Sequence, residues 1–385
     1  MGIRKSAMNN SFEIGPIRPP SEAYSILLRI TRNCPWNRCT FCSTYRDQKF
    51  SRRSVDEVKA DIDGMHSIAL RLAEASVRLG LDGRVSEEVL TEARADDPTP
   101  ESYYRQVAFW MQYGMRTVFL QDANSLIMNT QDLVEILRHL KERFPFIERV
   151  TSYARAKTVS KKSPEELSEL RAAGLTRLHI GMESGCDDVL ELISKGVTAE
   201  EHILAGRKAM DAGFDLSEYY MPGLGGERFS RENALESARV LSAINPTFIR
   251  LRSTVPLPGT PLADIMAAGE WVPLSEDGKV REIRLFVENL GDITSTIKSD
   301  HMMNLLEEVE GSMPADRGRI LSVIDRYLGM SVDDRESFII GRRLGLYRLL
   351  SDFGRDGQVE AVKSELKSRF GSVDAAVLEL LKNYI

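Results

Sequence analysis

The chain has 385 residues, 42% of them hydrophobic, with a net charge of −6 and an isoelectric point near 5.6. That length holds one large domain or two ordinary ones with a substantial core, and the acidic balance argues against a dedicated nucleic-acid binder, which needs a basic footprint for phosphates. No apolar run approaches the roughly 18 residues of a spanning helix, and the opening MGIRKSAMNNSFEIG lacks the apolar stretch of a signal peptide, so no membrane span and a cytoplasmic location are expected.

Residues 1–22 contain the Pro-rich IGPIRPP and read as an extended arm without chemistry of its own. The apolar run AYSILLRI then ends in a polar turn, TRNCPWNRCTFC, that places Cys34, Cys39 and Cys42 within nine positions. Packing alone does not gather three of a chain's four cysteines in this way, and a reducing compartment keeps thiols available as ligands. Structural zinc takes four closed ligands, usually from two separated pairs, and no further Cys or His lies near in sequence. An iron–sulfur cube, held by thiolates, can use three and leave one iron open. The residues favour the cube and leave zinc as the alternative.

Ser54 with Glu57 three positions on is a capping-box signature opening the helix VDEVKADIDGM. Helical pattern continues over about 64–112, broken at DDPTPES, and reads as an insertion, structural or lid-like. From Thr117 strand candidates alternate with helices: TVFLQ at 117, RVTSYA at 149, RLHIGM at 177, LSEYYM at 216 and TFIRLRS at 247. Helix starts stand at Ser163-Pro164 with Glu166, at Thr198 with Glu201, and at Ser230. With AYSILLRI this makes six strand–helix units, an α/β pattern that specifies a parallel sheet with right-handed crossovers. From about 291 the pattern is helical to the end, beginning at SDHMMNLLEEVEG, with apolar spacings of three and four that suit a packing cap.

The cysteine loop, with Phe41 just before Cys42, resembles the Cys-x3-Cys-x-aromatic-Cys loop of the radical S-adenosylmethionine (SAM) superfamily, with four residues, PWNR, where the common motif has three. The fourth strand runs into GMESGCDDVLELISKGVT, similar to the G-x-E/Q-S stretch of the coproporphyrinogen-dehydrogenase and methylthiotransferase types. The resemblance implies a TIM-like partial (β/α)6 barrel over about 23–290, a C-terminal helical domain over 291–385, a [4Fe–4S] cluster on Cys34, Cys39 and Cys42, and bound SAM. Glu183 and Ser184 would then meet polar groups of SAM, and Lys195 its carboxylate. An electron donor such as flavodoxin or ferredoxin is implied as a partner.

The other strand ends supply further candidates, because catalytic groups of a parallel barrel come from the C-terminal ends of its strands. Ser152 and Arg155 would reach the SAM carboxylate or ribose, Arg offering a planar two-donor fork. At QDANS, where relatives place a Gly-Gly-Glu-like segment, Asp122 would supply an oxygen to the SAM ammonium. The glycines of YYMPGLGGE allow close backbone approach to a ligand, and Arg252 points toward substrate or SAM. Cys186 is either a small residue in the turn after Glu183 or a hydrogen-atom donor; an auxiliary cluster needs more cysteines than the chain has. His301 is either a satisfied cap residue or a proton donor. The expectation is a radical SAM enzyme that generates a 5′-deoxyadenosyl radical and acts on a small-molecule substrate. The alternatives are a tRNA-modifying radical SAM enzyme and a zinc-stabilised binding protein.

Overall fold

The structure, a computed structural model, describes residues 10–382. All six expected strands form: β1 (Ile26–Arg29), β2 (Thr117–Gln121), β3 (Arg149–Ala154), β4 (Arg177–Glu183), β5 (Asp215–Tyr220) and β6 (Phe248–Leu251). They pair in chain order, every neighbour parallel. Two short strands extend the sheet past residue 290: β7 (Thr296–Lys298), parallel to β6, and β8 (Gly311–Ser312), antiparallel to β7. β1 and β8 are the two edges, so the sheet is open, as a partial barrel requires.

Register sorts the side chains into two faces, because alternate residues of a strand point oppositely. Tyr153, His179 and Ser217 lie in one row, and Tyr219, Arg250 and Lys298 in another on the same inward face. Leu120, Ser152, Leu178 and Leu216 form a row on the opposite, outer face.

The crossovers are α1 (Val55–Arg78), then α2 (Glu87–Arg94) and α3 (Glu101–Gln112) as the inserted pair, α4 (Thr130–Arg143), α5 (Ala156–Lys161), α6 (Pro164–Ala173), α7 (Asp187–Leu192), α8 (Ala199–Asp211), α9 (Ser230–Ile244), α10 (Pro261–Ala267) and α11 (Glu276–Glu288). Capping boxes close at Ser54–Glu57, Ser163–Glu166 and Thr198–Glu201, each satisfying two backbone donors that a helix start leaves unpaired. The insertion packs on α1, with Tyr104 hydroxyl donating to Asp97 at 2.8 Å.

The cap consists of α12 (Arg317–Leu328), α13 (Val332–Arg343), α14 (Gly357–Phe370) and α15 (Val373–Leu381). The stretch SDHMMNLLEEVEG is not helical, against the expectation from its apolar spacing. Asn304 donates to Leu251 carbonyl at 2.9 Å and accepts from Ser253 N–H at 3.0 Å, while Ser299 hydroxyl donates to Leu306 carbonyl at 2.9 Å. Such side-chain bonds to backbone compete with helix formation. Among the described residues no helix is long and apolar enough to cross a membrane.

The N-terminal arm is more than a leader into β1. Gln121 at the end of β2 exchanges hydrogen bonds with Gly15 and donates to Ile17 carbonyl at 2.9 Å. Glu13 pairs with Arg29 and Arg32, each at 2.7 Å.

Candidate iron–sulfur and SAM site

The cysteine loop leaves the C-terminal end of β1, and its neck is closed by a two-stranded antiparallel ribbon, Thr31–Arg32 against Ser51–Arg52. Asn33 and Asn37 both adopt left-handed backbone, at φ +68° and +47°, which Asn tolerates better than most residues. Asn37 sits inside the four-residue spacer. Its N–H points back at Cys34 Sγ at 3.4 Å and its side-chain amide donates to Tyr45 carbonyl at 2.6 Å, so the extra residue is taken up in a turn.

A second segment, the turn after α7, braces this loop. Thr40 N–H donates to Ile193 carbonyl at 3.0 Å and Trp36 indole N–H to Ser194 carbonyl at 2.7 Å. Arg155 lies over the Trp36 ring at 4.8 Å and donates to Lys195 carbonyl at 2.8 Å. A Cβ on Gly196 would stand 2.2 Å from the Trp36 ring, which accounts for glycine there. The turn thus brings Lys195 and Arg155 to the thiols. Burial pushes the Cys39 thiol up, and Lys195 and Arg155 pull it back.

Lys195 and Glu183 pair at 2.9 Å, each 12% exposed. Burial alone would lower the lysine, but Glu183 outweighs it and holds the ammonium above its usual range. Glu183 adopts φ +65° at a bulge closing β4, a sparsely populated backbone state of the kind found at functional sites. Ser184 hydroxyl accepts from Cys186 N–H at 3.0 Å. Cys186, 5% exposed, packs in an apolar cluster with Val189, Ile193, Met221 and Leu224, and Phe41 lies against it. Burial pushes its thiol up.

Several expected SAM contacts are occupied otherwise. Asp122 is fully buried and its carboxylate accepts from Arg29 Nε at 2.8 Å, Asn33 N–H at 2.9 Å and Tyr45 hydroxyl at 2.9 Å, so it ties the cysteine loop to the end of β2. Ser152 faces outward, its hydroxyl donating to Tyr153 carbonyl at 2.9 Å. The glycine turn after β5 meets the protein itself. Glu282 of α11 accepts from Gly223 N–H, Tyr220 and Ser230 hydroxyls and Asn233 amide at 2.7–2.9 Å, and a Cβ on Gly226 would meet Trp271 at 2.7 Å. Arg252 and His301 lie near one another beyond the loop, Arg252 exposed.

Sequence reasoning missed Trp36, Asn37, Tyr45 and Glu282, whose partners are remote in sequence. It also passed over Tyr153, His179 and Tyr219, which the two-residue alternation of RVTSYA, RLHIGM and LSEYYM would have placed on one face. The donor set suits a cube with one iron left for an outside ligand, because three thiols share one loop beside two cations. Among the described residues no three His, Cys, Asp or Glu side chains are gathered as for a metal ion, the three loop thiols included.

A parallel sheet paired in chain order, with three thiols on the loop after its first strand, makes the core of this chain a partial βα barrel. Residues 85–238 match the Radical SAM superfamily, whose members are enzymes that use a [4Fe–4S] cluster and SAM. The match begins downstream of Cys42. The chain is 24% identical over 122 residues to the tRNA uridine(34) acetyltransferase of Methanocaldococcus infernus, covering 31% of this chain and 23% of that one. The Methanocaldococcus jannaschii protein of the same name is 23% identical over 120 residues, 31% and 22% of the two chains. The chain therefore spans under a quarter of the curated relatives it matches. Methylornithine synthase superposes with a TM-score of 0.42 at 16% identity over 88% of this chain and 85% of that one.

Proposed function

We propose that this radical SAM enzyme binds its cluster through Cys34, Cys39 and Cys42 and acts on a small-molecule substrate in the barrel interior. When bound, the reduced [4Fe–4S] cluster supplies the electron that cleaves SAM to methionine and a 5′-deoxyadenosyl radical, which abstracts hydrogen from substrate. The observation that carries the reading is the loop itself: three thiols, with Lys195 and Arg155 brought against them by the 193–196 turn.

Lys195 and Arg155 balance the negative charge of the thiolates, and the paired Glu183 and Lys195 receive the polar end of SAM. Trp36 and Phe41 shield the loop from water. A cytoplasmic location and a small reductant such as a flavodoxin or ferredoxin fit an enzyme whose cluster needs an electron from outside. Anaerobically reconstituted protein, given dithionite and SAM, is expected to release 5′-deoxyadenosine; a fully loaded sample that releases none overturns the reading.

A second reading, modification of tRNA, is favoured by the names of the two archaeal relatives. The net charge of −6 weighs against it. Tight binding to bulk tRNA that weakens steeply with salt would select it over the small-molecule reading.

A further inference from the structure

The inward face beyond the cysteine loop carries polar groups that the proposed cluster and SAM contacts leave unused. Arg250 and Arg252 bracket the end of β6, and only the first is neutralised, by Asp300 at 2.6 Å. Arg252 is exposed, its backbone N–H fixed by Tyr220 carbonyl at 3.0 Å, and its guanidinium makes no ion pair among the described residues. Asp300 bonds to Arg250 and Asn304 to Leu251 carbonyl and Ser253 N–H at 2.9 and 3.0 Å, so the segment carrying His301 lies along the end of β6 that carries Arg252, and Tyr219 pairs in register with Arg250; the Arg252 charge is felt at Tyr153, Tyr219 and His301.

His301 Nδ1 accepts from Met303 N–H at 3.3 Å, leaving Nε2 as the donor. Burial and Arg252 hold its pKa down at about 4, so it stays neutral in spite of Asp300 beside it. Deeper in, His179 is fully buried on the inward face. Its Nδ1 stands 3.0 Å from Tyr219 hydroxyl, and its Nε2 has no partner. The nearest acids are committed elsewhere, Asp300 to Arg250 and Glu183 to Lys195. This face therefore offers one uncompensated cation, a neutral N–H donor, the hydrogen-bonded hydroxyl pair of Tyr153 and Tyr219, and an unpartnered buried ring nitrogen.

We propose that the barrel interior holds an oxyanion of the substrate, a carboxylate or a phosphate, against Arg252, with His301 Nε2 and the Tyr153 hydroxyl as donors and the Tyr219 hydroxyl, bonded to Tyr153, behind them. A fork of guanidinium donors suits either anion and gives it a fixed orientation. That the anion belongs to the substrate rests on the radical SAM reading above; that it binds at Arg252 does not.

The test is isothermal titration of the full-length, reconstituted protein with malonate and, separately, inorganic phosphate, each with and without saturating SAM. One of the two anions is expected to bind in the presence of SAM; which one distinguishes carboxylate from phosphate. Arg252→Gln should weaken it at least about 10-fold and His301→Gln about 3-fold, while Arg105→Gln, on the exposed insertion, leaves it unchanged. No binding of either anion, or equal binding to R252Q of unaltered melting temperature, overturns the proposal. Displacement of the anion by SAM overturns its assignment to substrate. Release of 5′-deoxyadenosine by R252Q is scored separately, so a failed anion site and a failed radical SAM reading give different results.

Discussion

The Tyr45 hydroxyl donates to Asp122 Oδ1 at 2.9 Å while Asn33 N–H donates to Oδ2, also at 2.9 Å. Asn33 immediately precedes Cys34 and Tyr45 follows Cys42 by three residues, so one buried carboxylate grips the cysteine loop on both flanks. Asp122→Asn removes the charge that Arg29 balances within this network, and breaking a buried pair in this way is expected to cost about 3 kcal/mol in urea unfolding. Tyr45→Phe should cost about 1–2 kcal/mol by leaving an acceptor unsatisfied. Both variants should retain less iron after reconstitution, D122N the less.

Replacing Cys34, Cys39 or Cys42 by Ala should abolish the absorption shoulder near 400 nm, roughly where thiolate-ligated cubes absorb. Cys186→Ala should keep it, because that thiol lies in an apolar cluster. Unchanged 5′-deoxyadenosine release and substrate turnover in C186A would confine Cys186 to packing. Iron and sulfide analysis of the four proteins checks the assignment of ligands.

Gly196 has φ +69°, and an added Cβ would meet the Trp36 ring. Gly196→Ala is therefore expected to destabilise by about 1–3 kcal/mol through overpacking and to displace the turn that carries Lys195. Adding Trp36→Leu should recover part of the unfolding midpoint, since it removes the clashing ring. Midpoints of the single and double variants decide it.

Glu276 on α11 is nearly fully buried and bonds to Arg343 on α13 and to Lys279. Burial works against its ionisation, yet the two cations prevail and hold its pKa down at about 2. A depressed carboxyl contributes stability above its unfolded value near 4.5, and that contribution is lost as pH falls from there toward 2. Urea midpoints measured from pH 6 to 3 should fall accordingly, with a shallower fall in Glu276→Gln.

Glu218 on β5 behaves in the opposite sense. It is fully buried, neither carboxyl oxygen has a partner, and burial, then Glu183, push its pKa well above the usual range. The folded state keeps a proton that the unfolded chain releases near pH 4.5, so this group lowers stability as pH rises above that value. Glu218→Met, similar in volume, should raise the melting temperature at pH 8 more than at pH 5.

The six strands were readable because each is a short apolar run bounded by turn residues, and the three capping boxes because their partners lie three residues apart. The cysteine loop announced itself by spacing. Asp122 and Ser152 did not disclose their partners: position at a strand end suggests a ligand contact, but the side-chain direction and the buried cation Arg29 are set by tertiary packing. SDHMMNLLEEVEG misled because its apolar spacing is helical, while Ser299 and Asn304 spend their hydrogen bonds on distant backbone. β7 and β8 are too short, at three and two residues, for periodicity to register.

The contact between Gly15 and Gln121 also has a meaning for biosynthesis. Residues 10–17 leave the ribosome well before Gln121 and Asp122 emerge, so the loop's flanks cannot be fastened until synthesis has passed residue 122. Cofactor loading should accordingly be a late, post-translational event, and nascent chains stalled before residue 121 should not retain iron.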